Sequence, residues 1–89
     1  MAGGLEVSKR FEEDYRRLCR RNAGFRAAVD KKVAQILENP GHYKPLRAPF
    51  QGVRRAHVQG AFVLLYEEAK AAKVVRFLRL AHHDEAYGI

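Results

Sequence analysis

Between Ser8 and Arg21 the apolar residues Phe11, Tyr15, Leu18 and Cys19 recur at intervals of three and four, which gathers them into one stripe on a helix. Ser8 stands where an N-cap hydroxyl is wanted, and the pattern predicts a helix over residues 9–21. Its charges are sorted: Glu12, Glu13 and Asp14 come early, and Arg16, Arg17, Arg20 and Arg21 come late, as the helix dipole favours. A second stripe of Phe25, Val29, Val33, Ile36 and Leu37 predicts a helix over residues 24–38, stopped by Asn39-Pro40-Gly41. The two form a helical hairpin. The following segment, HYKPLRAPFQG, holds two more prolines and a glycine and reads as a surface loop.

From Val53 onward the pattern takes on the alternation of strands: VRRAHV, then AFVLLYEEA, then KVVRFLRLA, with short links around Gly60 and around residues 69–72. Three strands so closely linked form an antiparallel meander. FVLLY is apolar on both faces and belongs at the centre of the sheet, and GLEVS near the start supplies a further edge strand. The expected fold class is α+β: an N-terminal helical hairpin packed on a twisted antiparallel sheet of three to four strands, in one domain over residues 1–89.

Length and charge narrow the picture. A chain of 89 residues buries only about 60–65% of the surface its unfolded form exposes, enough for one small core. Seventeen Lys and Arg against ten Asp and Glu give a formal charge of +7, a field that attracts RNA, DNA or an acidic protein. Cys19 is the single cysteine, so no intrachain disulfide forms and a cytoplasmic setting is expected. The opening MAGGLEV has no secretory pattern, and the apolar run from Ala61 to Tyr66 is far short of the roughly 20 residues that cross a bilayer. Neither export nor a membrane partner is expected.

Candidate chemistry follows from the strand alternation. In RRAHV, Arg55 and His57 point one way while Ala56 and Val58 point to the helix-covered core. Lys44 and Arg47 come from the preceding loop, Arg54 lies beside Arg55, and Arg76 and Arg79 fall on opposite faces of the last strand, so that one of them joins the cationic face. The tail delivers His82, His83 and Tyr87. Cleaving RNA with side chains alone needs a base for a ribose 2′-hydroxyl, cations around the phosphate and an acid for the leaving oxygen. These residue types cover all three roles, and an aromatic ring can stack on an unpaired base. No metal or cofactor is expected, because adjacent residues of an extended HHDE segment diverge and no second cluster has ligand spacing. Ser8 at a helix start and Cys19 on a core stripe make poor nucleophiles.

The motifs RFEEDYRRL, a hairpin ending in ENP, KPLRAPFQGVRRAHV, FVLLYE and VRFLRLAHHDEAYG, in that order and over essentially the whole length, resemble the RelE/ParE superfamily of toxin–antitoxin toxins. The resemblance implies a toxin held inactive by a small antitoxin protein, cutting mRNA on the ribosome without a metal and leaving a 2′,3′-cyclic phosphate. By similarity to the YafQ-like branch, the strand histidine falls on His57, the terminal histidine on His83, the aromatic behind it on Tyr87, and a loop histidine of that branch on Lys44. Arg55 falls where RelE-like relatives carry a site cation. The catalytic set implied is His57, His83, Tyr87 and Arg55, with Lys44, Arg47, Arg54, His82 and Arg79 binding RNA phosphate. Ala61 stands where that branch has an acidic residue, so the roles of base and acid stay open. ParE-like relatives share the fold and act on DNA gyrase, which leaves a gyrase-directed toxin and a catalytically degenerate toxin as alternatives.

Overall fold

The computed structural model describes residues 4–47, 49–50, 52–69 and 71–86. Strand β1 (Gly4–Val7) leads into helices α1 (Lys9–Cys19) and α2 (Ala23–Glu38). A single 3₁₀ turn at Pro40–His42 then precedes the short strand β2 (Lys44–Pro45). Strands β3 (Val53–Gln59), β4 (Phe62–Ala69) and β5 (Val74–His82) follow, and a last helical turn, α3 (His83–Ala86), ends the described chain. The sheet has the order β1-β5-β4-β3-β2, so β4 is central as its two apolar faces require.

The predicted meander is present, with β3–β4 and β4–β5 antiparallel. The sheet nevertheless has five strands rather than three or four, and it is mixed. β1 runs parallel to β5, pairing Gly4 with Val74 and Val7 with Phe77, and two residues of the expected loop pair with β3 as Lys44↔Arg55 and Pro45↔Arg54. The strand character of GLEVS is local, whereas its partner lies some seventy residues away and leaves no periodic trace.

Both helices form for the reasons their stripes give. Ser8 Oγ accepts from Phe11 N at 3.0 Å and Asn22 Oδ1 accepts from Phe25 N at 2.9 Å, so each helix starts on a side-chain cap. Phe11, Cys19, Phe25, Val29 and Ile36 from the helices pack against Ala56, Leu64, Tyr66, Val75, Phe77 and Leu80 from one face of the sheet. The other face carries a smaller apolar patch of Val53, Val63, Leu65 and Ala81, on which Ala86 of α3 packs. Cys19 is buried, and burial pushes its thiol up.

The edge where β1 stops is closed by side chains. Ser8 Oγ donates to Leu78 O at 2.9 Å, and one strand turn further on Asp14 Oδ2 accepts from Leu80 N at 3.0 Å and from Arg79 Nε at 2.8 Å. Asp14 and Arg79 are 3% and 4% exposed. α1 is thus bolted to the backbone of β5 through a buried ion pair.

Tyr66, fully buried at the middle of β4, donates its hydroxyl to the buried Pro40 carbonyl and ties the 3₁₀ turn to the core. Desolvation pushes its phenol up to about 12. Because the fold favours the neutral phenol, this contribution is intact below the unfolded value of about 10 and drains away as pH rises toward about 12. Tyr66→Phe is expected to cost about 1–3 kcal/mol at neutral pH, through the orphaned Pro40 carbonyl. The wild-type advantage should then shrink, or invert, between about pH 10 and 12. Urea midpoints of both proteins across that range check the sign.

Candidate active site

The site follows from the shortness of β2. Its ladder with β3 ends at Lys44↔Arg55, after which the chain, read backward, leaves the sheet through Tyr43 and His42 into the 3₁₀ turn. Past Arg55, β3 continues on its β4 side only, and the space between its outer edge, the turn and α2 is a cleft of about 420 Å³. Lys32 from α2, His42 and Tyr43 from the turn, Lys44 from β2, and Arg55 and His57 from β3 line it.

The walls are held from behind. Arg54 Nη1 donates to Tyr43 O at 2.6 Å, the Tyr43 ring meets Tyr66 edge-on at 6.4 Å, and Lys32 Nζ lies 5.5 Å from the Tyr43 ring centroid. His42 stands edge-on to Tyr43 at 5.0 Å. Among the described residues no carboxylate lines the cleft, so three cations set its potential and favour an anionic ligand. Two imidazoles face the same volume, and a neutral imidazole accepts a proton at one ring nitrogen and donates one from the other.

Of the residues expected from sequence, the structure brings Lys44, Arg55 and His57 together in this cleft. Arg55 and His57 share the face of β3 opposite Ala56 and Val58, which pack under the helices as alternation requires. Arg54 departs from the expectation: it points to the helix-covered side, spends itself on the Tyr43 carbonyl and acts as a strut of the wall. Arg79 departs further. A register shift between Leu65↔Arg79 and Tyr66↔Phe77 sets Leu78 out of the ladder, and Arg79 is buried against Asp14 rather than open to a ligand. The arginine of that strand left exposed is Arg76, 3.7 Å from Glu67. Arg47 is exposed in the loop after β2 and is not among the cleft residues.

His82 and His83 do not line the cleft. The row His57–Val63–Ala81 spans two strand spacings, about 10 Å, before the chain reaches them. His82 meets the ring of Phe62 at 5.8 Å, the His83 ring lies 4.8 Å from that of His82 at a tilt of 39°, and Asp84 lies beside both. The extended geometry expected for HHDE ends at His82, because α3 begins at His83 and turns consecutive side chains toward one another. Tyr87 lies outside the described residues. Sequence reasoning missed Lys32, Tyr43 and His42 as site residues. The signal available was His42 directly after Pro40-Gly41, two residues before Lys44, so that a turn there swings it toward whatever Lys44 faces.

Two helices on one face of a five-stranded sheet, with a basic, histidine-bearing cleft at its edge, are the α+β layout expected from the resemblance to RelE/ParE-type toxins. The chain belongs to the family of ParE toxins of type II toxin–antitoxin systems, whose sequence profile matches residues 5–87. It is 32% identical over 83 residues to a Methanocaldococcus jannaschii protein that bears the toxin name RelE4, covering 93% of this chain and 88% of that one. Among solved structures it resembles a metal-bound toxin from Helicobacter pylori, with a TM-score of 0.79 and 26% identity over 97% of this chain and 99% of the other. It also resembles the DinJ–YafQ complex of E. coli, with a TM-score of 0.73 and 25% identity over 94% and 97%. No helix among the described residues is long and apolar enough to cross a membrane.

Proposed function

We propose that this chain is a toxin that cleaves messenger RNA on the ribosome, with the scissile phosphate bound in the cleft at the edge of β3. The observation that carries the reading is the convergence of His42 and His57 with Lys32, Lys44 and Arg55 around one volume of about 420 Å³. Lys44 and Arg55 neutralise the phosphate, and Lys32 extends the cationic wall along the strand. One imidazole takes the proton of the ribose 2′-hydroxyl as its oxygen bonds to phosphorus. The other protonates the 5′-oxygen as its bond to phosphorus breaks, leaving a 2′,3′-cyclic phosphate and a free 5′-hydroxyl. His57 is one member of the pair. His42 is the other by proximity, and His83, implied by resemblance to YafQ-like toxins, competes for that role. Side chains of these types run the reaction without a cofactor. A small antitoxin, as DinJ is found with YafQ, is the partner that holds the protein inactive in the cytoplasm.

The ParE family match favours a second reading, in which the same basic face meets DNA gyrase and no RNA is cut. Inducible expression followed by primer extension on messenger RNA, with a supercoiling assay on the same cells, separates the two. Breaks in translated messages support the nuclease, and lost supercoiling with intact messages overturns it.

A further inference from the structure

Among the described residues, one group of metal-ligating side chains lies outside the cleft. We infer that the junction of β5 and α3 is a binding site for a transition-metal dication of the zinc class, held by His82, His83 and Asp84. The ligand atoms of the three residues lie within 4.8 Å of one another. His83 Nε2 is 3.2 Å from Asp84 Oδ1, and His82 Nδ1 is 3.5 Å from Asp84 Oδ2. Ligand atoms about 2.0–2.1 Å from a tetrahedral zinc stand about 3.3 Å apart, and each imidazole nitrogen lies near that distance from a different oxygen of the Asp84 carboxylate. An ion seated on one of those oxygens draws the three ligand atoms from within 4.8 Å of one another to about 3.3 Å, and both rings are partly exposed.

The carriers of these groups are fixed while the groups themselves adjust. His83 N donates to Ala61 O at 2.8 Å, which extends the β4–β5 ladder to the first residue of α3, and His82 leans edge-on against Phe62. Asp84 N donates to His82 Nδ1 at 3.2 Å, a hydrogen bond that a metal taking this lone pair would replace. Two imidazoles and one carboxylate suit zinc, nickel or copper, whereas magnesium and calcium prefer oxygen donors alone. Three protein ligands leave a fourth position to water. Cys19 is buried in the helix-side core and adds no thiolate to the site.

The test is calorimetric titration of zinc chloride, and in parallel magnesium chloride, into the full chain prepared without a polyhistidine tag. One zinc per chain and no heat with magnesium are expected. His83→Gln and Asp84→Asn should each weaken zinc binding by at least about tenfold, and His57→Gln, in the cleft, should leave it unchanged. All three positions are exposed, and circular dichroism of each variant checks that the fold persists. Zinc affinity that survives both tail substitutions, that falls with His57→Gln, or that is absent from the wild type overturns the assignment. The measurement does not involve RNA, so its result and that of the cleavage assay stand apart.

Discussion

His57→Gln is expected to lower RNA cleavage by about 100-fold to 10,000-fold, the range that a positioned acid or base contributes, without unfolding the protein. The side chain is exposed on β3, and its strand neighbours Ala56 and Val58, not His57, pack under the helices. Glutamine keeps hydrogen-bonding capacity and similar length but cannot carry a proton between substrate oxygens near neutral pH. The same substitution at the two competing positions assigns the second role. If His42 is the partner, His42→Gln matches the loss seen at position 57 and His83→Gln leaves most activity, and the reverse result gives the role to His83. The measurement is the rate of cleavage of a translated message by purified protein in an extract. Full activity in His57→Gln would remove the cleft from the reaction.

The second large effect is on stability. Asp14→Ala is expected to cost about 3–5 kcal/mol, because it leaves the Arg79 guanidinium charged and buried without its partner. The same substitution strips the acceptor from Leu80 N. A loss of that size is a large fraction of the roughly 5–15 kcal/mol that stabilises a typical domain. Arg17, 3.3 Å from the other carboxylate oxygen, is 62% exposed and contributes little to the figure. The pair as a whole is another matter. Charges taken out of water spend most of their mutual attraction on desolvation, so Asp14→Leu combined with Arg79→Met should recover most of the loss. Urea denaturation of the single and double variants tests both halves, and a double variant as unstable as the single one would show that the Leu80 amide, not the guanidinium, dominates.

These two residues also show where reading the sequence stops. The facing of Arg55 and His57 was legible, because a strand alternates and Ala56 and Val58 are apolar. Arg79 was not, since nothing local distinguishes an arginine that meets solvent from one that meets a carboxylate 65 positions earlier, and the offset at Leu78 breaks the alternation between the two. Arg54 looked as available as Arg55 until its partner proved to be a main-chain carbonyl. His42 and Tyr43 sit between Pro40 and Pro45, in a segment with no period to project from. The central place of β4, the Ser8 cap and the hairpin order were legible because each rests on residues close in sequence.

The pairing of the first strand with the last bears on how the protein is made. Gly4 waits for Val74, and Asp14 waits for Arg79 and Leu80, so a nascent chain carries an unclosed sheet until residues 74–80 have left the ribosome. The hairpin of β3 and β4 can form as it emerges, but α1 has nowhere to dock. Closure of the sheet is therefore a late event for each molecule, and the helices spend the interval before it without the strand they are shaped to cover.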